Sequence, residues 1–196
     1  FRDEPLPDPG GIAGAVVTGS PAMVTDRLPW SERAAEWLRR AVAQGTPVLG
    51  VCYGHQLLAH ALGGVVAANP RGPNYGAADI TLHAEAREDP LFSALVPPLR
   101  GFEAHYQSVL NPPRGAVVLA ATAVDPHHGL RFADRAWGVQ FHPEFTEPVS
   151  RILLDEEREE LRVAGLDVDL RLSALDSAPE AAGRKLLARF RRICGI

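Results

Sequence analysis

The sequence VLGVCYGHQLLAHALGG occupies residues 48–64 and joins two elements of different periodicity. Val48–Val51 is a continuous apolar run, which is typical of a short strand buried on both faces. Tyr53 to Leu62 follows with apolar residues at helical spacing. We therefore predict a strand that turns directly into a helix, with Cys52 at the turn.

The segment before this stretch repeats the same order of elements. Ala15–Val17 is a short strand candidate, and it runs into a turn at Thr18-Gly19-Ser20-Pro21. A helix is predicted next, with Ser31 as its N-cap and Gly45 as its stop signal. Alternating strands and helices favour a parallel sheet covered by helices on both faces.

After Gly64 the pattern of the sequence changes from alternating strands and helices to a series of short strands. Short strands are predicted at 65–66, 79–84, 102–110, 116–121, 130–132 and 137–141, and some of them are expected to pair antiparallel. Two helices are then predicted, one at 146–164 and another that begins at Ser177. No repeat or linker interrupts the pattern, so residues 1–196 are predicted to form a single domain.

The composition excludes several classes of protein. A net charge of −4 and a pI near 6.0 give no general attraction to nucleic acid or to an anionic membrane surface. Two cysteines cannot make a disulfide scaffold, and no apolar run reaches the roughly 20 residues of a membrane span. We expect a cytoplasmic protein whose ligand is a small molecule.

The spacing Gly50-Val51-Cys52-Tyr53-Gly54 is the thiol counterpart of the strand-to-helix elbow that exposes a nucleophilic serine in hydrolases. The positive end of the following helix favours a thiolate, and the Tyr53 N–H would face an oxyanion. The turn at Gly19-Ser20 could supply a second N–H donor. The alternative is that Cys52 is a small buried hydrophobe, as is predicted for Cys194 on an apolar helix face.

A second candidate group lies in GVQFHPEF, residues 138–145. The proline turn can bring Glu144 to one ring nitrogen of His142 and leave the other nitrogen free to act as a general base. A histidine at the end of a strand can equally be a structural or surface residue.

Together, GVCYGHQ (50–56) and GVQFHPEF (138–145) resemble the class I, or triad, glutamine amidotransferases, in particular the stand-alone GMP synthase-like type. VVTGSP (16–21), HYQSV (105–109) and LLARF (186–190) extend the resemblance over nearly the whole chain. It implies an α/β fold with a flavodoxin-like, mostly parallel central sheet flanked by helices, and some antiparallel strands. It also implies that a strand and a helix precede the position of Phe1.

The resemblance implies a Cys-His-Glu triad and a γ-glutamyl thioester. Cys52 would attack the side-chain amide of glutamine, His142 would transfer the protons, and Glu144 would orient His142. Ammonia would leave first, and water would then release glutamate.

The other implied positions form the oxyanion hole and the substrate site. Gly19 and Tyr53 would donate N–H groups to the oxyanion. Gln56, Tyr106 and Gln107 would contact the bound glutamine.

No cofactor is implied, and no metal site is predicted from His55, His60, His127 and His128. The partners implied are glutamine and a separate ATP-dependent synthetase subunit that receives the ammonia, unless the protein acts alone. One alternative keeps the triad but cleaves a γ-glutamyl peptide or a γ-glutamyl amine. Another is a non-catalytic binding or regulatory module with the same fold.

Overall fold

The chain folds as strands and helices that alternate in its first third and become strand-rich in the middle. The computed structural model describes residues 4–176 and 178–196. The strands are β1 (Ala15–Val17), β2 (Val48–Val51), β3 (Val65–Ala68), β4 (Asn74–Leu82), β5 (Leu99–His105), β6 (Gln107–Asn111), β7 (Val117–Ala121), β8 (Gly129–Ala133) and β9 (Ala136–Val139). The α-helices are α1 (Pro29–Ala43), α2 (Tyr53–Ala61), α3 (Glu147–Glu156), α4 (Arg158–Val163), α5 (Val168–Ser173) and α6 (Ala178–Ile193).

Seven strands form the central sheet in the order β1-β2-β9-β8-β7-β4-β5. β2 pairs parallel with β1 on one side and with β9 on the other. The pairings from β9 through β8, β7 and β4 to β5 are antiparallel, and β3 and β6 form a separate antiparallel pair. The predicted α/β fold is confirmed, with parallel pairing confined to the three strands β1, β2 and β9.

Apolar side chains cover both faces of β2, the middle one of the three parallel strands. Leu49 and Val51 of β2 belong to a core that also contains Leu186 and Phe190 of α6. Val48 points to the opposite face and belongs to a second core, built with α1 and α2. Because side chains alternate along a strand, one apolar strand supplies both cores.

Two predicted helices differ from the observed ones at their boundaries. α1 begins at Pro29, a favoured first helical residue, whereas Ser31 is buried and bonds to Tyr53 rather than capping the helix. The predicted helix at 146–164 is divided at Glu157 into α3 and α4. The predicted start of the last helix, Ser177, lies outside the described residues.

The predicted strand at 102–110 is also divided. Tyr106 separates β5 from β6, which join different sheets. Cys194, beyond the end of α6, packs half-buried against the apolar core, as predicted. Among the residues that the structure describes, no helix has the length and the apolar character that crossing a membrane requires.

Candidate active site

The three parallel strands end at the same edge of the sheet and bring separate parts of the chain together there. β1 leads into the turn that contains Gly19, β2 ends at Cys52, and β9 is followed by His142. The Cys52 N–H donates to the Val139 carbonyl of β9 over 2.9 Å, which joins the two turns. Ligand sites in α/β sheets form at this carboxyl edge.

Cys52 occupies the strained turn that the sequence predicts. Its φ of 51° is positive, which is uncommon for a residue with a side chain and costs about 1–3 kcal/mol. A Cβ atom added at Gly54 would overlap the Val17 carbonyl, and one added at Gly50 would overlap the main chain of Gly54. Both glycines are therefore required for β2 and α2 to approach this closely.

The thiol of Cys52 is buried, with 5% of the residue exposed. Burial raises its pKa to about 12, although the Tyr53 backbone N–H and the Gln140 side chain act in the opposite direction. The thiol donates to the Ala104 carbonyl over 3.6 Å. The helix N-terminus lowers the pKa of the thiol, as the sequence predicts, but desolvation raises it by more. The thiol is therefore protonated at neutral pH.

The imidazole of His142 is held from three sides. Its Nδ1 donates to Glu144 Oε1 over 2.8 Å, and Phe145 stacks on the ring with centroids 3.8 Å apart. A Cβ atom added at Gly19 would lie 2.9 Å from Cε1 of His142, so Gly19 passes directly against the ring. With Nδ1 engaged, Nε2 is the ring nitrogen left to accept a proton.

One cleft of about 500 Å³ contains all of the predicted site residues in its lining. These residues are Gly19, Cys52, Tyr53, Gln56, Tyr106, Gln107, His142 and Glu144. The arrangement places a buried thiol, a histidine oriented by a carboxylate, and a helix N-terminus around one space. Such a set can perform acyl transfer through a covalent intermediate.

Comparison with known proteins agrees with this geometry. A family model described as glutamine amidotransferase class-I matches residues 4–153. The chain belongs to this family. The residues that the family model matches include β1, β2 and β9 and the three turns that follow them, and these turns contribute to the lining of the cleft.

Sequence relatives of this class-I amidotransferase include glutamine-hydrolyzing GMP synthases. A protein of Ignicoccus hospitalis, named as one subunit of such a GMP synthase, is 33% identical over 144 residues, which cover 71% of each protein. The glutamine-hydrolyzing GMP synthase of Aeropyrum pernix is 38% identical over 132 residues, or 67% of this chain. The match spans only 24% of the Aeropyrum protein, so the chain corresponds to about a quarter of that relative.

Solved structures show the same fold. A glutamine amidotransferase from Thermotoga maritima aligns with a TM-score of 0.73 at 20% identity, over 92% of this chain and 78% of the other. A glutamine amidotransferase from Methylobacillus flagellatus aligns with a TM-score of 0.68 at 26% identity, over 98% and 78%.

The side chains of Gln56 and Gln107 are engaged within the amidotransferase itself. Nε2 of Gln56 donates to the Gln107 carbonyl over 2.6 Å and to Gln140 Oε1 over 3.1 Å. Gln107 accepts from the Val24 N–H over 3.1 Å and donates to Thr25 Oγ1 over 2.6 Å. Both residues line the cleft, but these bonds make their amide groups part of its wall.

Tyr106 is hydrogen-bonded to a carboxylate of the cleft, Glu157, which the sequence does not predict as a site residue. Its hydroxyl donates to Glu157 Oε2 over 3.1 Å, and the Tyr75 hydroxyl donates to the same oxygen over 2.7 Å. Burial and the Glu157 carboxylate raise the pKa of both tyrosines. Glu157 lies in DEEREE (155–160), a charge run that indicates only a solvated helix face.

Tyr53 fixes the first turn of α2 through its side chain. Its hydroxyl hydrogen-bonds with Ser31 Oγ of α1 over 2.5 Å, and its ring lies 5.6 Å from that of Trp30. Burial raises the pKa of this hydroxyl. The side chain therefore anchors the backbone N–H that points toward the thiol.

Proposed function

We propose that this chain hydrolyses the side-chain amide of glutamine to glutamate and ammonia, with Cys52, His142 and Glu144 as the catalytic residues. The observation that carries the proposal is that Cys52, His142 and Glu144 line the same cleft, with His142 hydrogen-bonded to Glu144. Membership in the class-I glutamine amidotransferase family supports glutamine as the substrate.

The first chemical step must remove a proton from a thiol that burial keeps protonated. Nε2 of His142 takes this proton as Sγ of Cys52 bonds to the amide carbon, and Glu144 stabilises the imidazolium that forms. The carbonyl electron pair moves to oxygen. The backbone N–H groups of Tyr53 and Gly19 stabilise this oxyanion, and they are the proposed oxyanion hole.

The second half of the reaction returns the enzyme to its starting state. The tetrahedral intermediate collapses, the C–N bond breaks, and the imidazolium gives its proton to the departing ammonia. The resulting γ-glutamyl thioester is attacked by water, whose proton passes to His142. Glutamate leaves as the C–S bond breaks, and the proton returns to the thiolate of Cys52.

The glutamine substrate is proposed to bind along the segment between β5 and β6. Tyr106 lines the cleft there, and the Gln56 side-chain amide donates to the main-chain carbonyl of the next residue, Gln107. Because their amides are already engaged, we assign Gln56 and Gln107 mainly to shaping this wall.

The proposed partner is an ATP-dependent synthetase subunit that receives the ammonia. The relatives in Ignicoccus hospitalis and Halobacterium salinarum, each named as one subunit of a GMP synthase, support this assignment. We place the protein in the cytoplasm, because a free nucleophilic thiol is maintained in a reducing compartment.

The test is glutamate release from glutamine by the purified chain. Cys52→Ser and His142→Asn are expected to abolish it, and Cys194→Ser, which removes the other thiol, is expected to leave it unchanged. A wild-type chain that folds and binds glutamine but releases no glutamate would instead support the non-catalytic module. If Cys194→Ser lost as much glutaminase activity as Cys52→Ser, the loss could not be assigned to Cys52 in particular.

A second candidate reaction is hydrolysis of a γ-glutamyl amine whose leaving group carries a positive charge. Two carboxylates, Glu144 and Glu157, line the cleft, and its described lining contains no lysine or arginine. Its volume of about 500 Å³ lies in the range of pockets for ligands larger than one amino acid. Products measured from glutamine and from γ-glutamyl conjugates of cationic and neutral amines distinguish the two reactions.

A further inference from the structure

A cluster of three buried side chains borders the cleft, outside the proposed triad, and one of them, His105, is part of the cleft lining. Glu103 and His105 are two residues apart on β5, so they point to the same side of the strand. His128 reaches the same point from the turn before β8. One atom of each residue lies within 4.8 Å of the other two, and all three residues are buried.

Each of the two histidines has an acceptor oxygen on the side of Nδ1 and Glu103 on the side of Nε2. Nδ1 of His105 lies 3.0 Å from the Gln107 carbonyl, which requires that Nδ1 donate the hydrogen bond. Nδ1 of His128 lies 3.6 Å from Asp125 Oδ2, which is an ion-pair separation and not a hydrogen bond. In His105 the proton is therefore on Nδ1, and Nε2 is left with a lone pair on the side of Glu103. In His128 the charge of Asp125 favours a proton on Nδ1, which would leave Nε2 likewise free to act as a ligand.

The atoms that face one another have no hydrogen-bond partner within the described protein. Oε1 of Glu103 lies 3.4 Å from Nε2 of His128 and 3.8 Å from Nε2 of His105. These distances exceed those of ordinary hydrogen bonds, about 2.7–3.2 Å. Leaving three such atoms buried without partners would be costly, so the group is suited to bind a further component.

The spacing suits the ligands of a metal ion. Bonds of about 2.0–2.1 Å in a tetrahedral zinc site place neighbouring ligand atoms about 3.3–3.4 Å apart. Two imidazoles and one carboxylate are a common donor set for Zn²⁺ and similar divalent transition metals. A carboxylate or carbonyl behind each imidazole, here Asp125 and the Gln107 carbonyl, is the usual outer support of a metal-bound histidine.

The charges also balance. Glu103 and Asp125 together contribute two negative charges to a buried region, and burial of unpaired charge is strongly unfavourable. A divalent cation bound by two neutral histidines makes the whole group neutral.

We propose that Glu103, His105 and His128 bind a divalent transition metal ion of the Zn²⁺ type. The ion would stabilise the structure at the border of the cleft, which His105 also lines. Ala104, between two of its ligands on β5, faces the opposite side of the strand and accepts the hydrogen bond from the thiol of Cys52. The ion would thus fix the strand against which the thiol rests.

The test uses the full chain, stripped with a chelator and then titrated with zinc chloride alone. Wild type is expected to retain one Zn²⁺ per chain after gel filtration. Its melting temperature should rise by roughly 5–10 °C when free zinc reaches about 100 times the dissociation constant. Absence of both stoichiometric zinc and a zinc-dependent melting shift in wild type overturns the proposal without any variant.

Variants identify the ligands. Glu103→Gln and His128→Gln are expected to lose the retained zinc and the melting shift. Cys52→Ser and His142→Asn are expected to keep both, because these residues are not ligands in the proposed site. Zinc retained by Glu103→Gln and His128→Gln but lost from Cys52→Ser would assign the ion to the cleft and overturn the proposal.

Discussion

Replacing Glu144 with glutamine tests how much of the proposed catalysis depends on the charge beside His142. A glutamine side chain oxygen can still accept the hydrogen bond from Nδ1, which in the native protein spans 2.8 Å to Oε1. The ring and its tautomer are therefore retained. What Glu144→Gln removes is the negative charge that stabilises the imidazolium in the transition state.

The size of the effect follows from the geometry of the pair. Two opposite charges about 4 Å apart interact by about 4 kcal/mol near a protein surface and by about 1 kcal/mol in water. The Glu144 side chain is 40% exposed, so solvent screens part of this energy. We expect a loss of about 1.5–3 kcal/mol, which lowers kcat by roughly 10- to 150-fold.

The assay is steady-state glutamate release, with kcat and KM determined separately. KM is expected to change little, because Glu144 acts on His142 rather than on the bound ground state. Glu85→Gln, the same substitution at an exposed carboxylate outside the cleft lining, is the matched control. A loss below threefold in Glu144→Gln, or an equal loss in Glu85→Gln, would refute the proposed role.

Three further predictions concern the elbow, the thiol and the acidic wall. Gly54→Ala places a methyl group against a main-chain oxygen of β1, and we expect it to lower the free energy of unfolding by about 2–3 kcal/mol in a thermal or denaturant melt. In the control Gly11→Ala the added methyl group meets open space, so stability should not change. Equal melting of the two variants would contradict the close approach of β2 and α2. Because the pKa of Cys52 is raised to about 12, its alkylation by iodoacetamide without substrate should be slow at pH 8 and should accelerate up to at least pH 10. Mass spectrometry measures the rate. A rate that levels off near pH 7 would show that the resting thiol is already ionised. Glu157→Gln should raise KM at least threefold for γ-glutamyl conjugates of cationic amines and leave KM unchanged for conjugates of neutral amines. Equal changes in KM for both kinds of conjugate would contradict the proposal that the cleft attracts a cationic leaving group.

The elbow could be predicted from the sequence because its signals are local. An apolar strand, a cysteine between two glycines and a helical pattern are adjacent in the chain, and the steric need for both glycines appears in the structure. The His142–Glu144 contact could be predicted for the same reason, since only Pro143 stands between the two residues in the chain.

On the proposed substrate side of the cleft, the sequence predicts Gln56, Tyr106 and Gln107, which all line it. The acidic group at Glu157 could not be predicted because it depends on tertiary contacts. The break at Tyr106 arises where one chain segment leaves the central sheet for the smaller one. Glu157 lines the cleft, where the hydroxyl groups of Tyr75 and Tyr106 donate to its carboxylate. A charge run in the sequence gives no sign of such partners.

The state of the thiol was predicted only in part. The sequence indicates the helix N-terminus that favours the thiolate, but it does not show how deeply Cys52 is buried. Desolvation is a property of the assembled fold and here exceeds the local effect.

The most direct test of the central claim is mass spectrometry of the chain, quenched in acid during turnover of glutamine. The account predicts that Cys52, and no other residue, carries one γ-glutamyl group, and that His142→Asn carries none. Turnover of glutamine without this adduct on wild type under any quench time, or the adduct on Cys194, would contradict it.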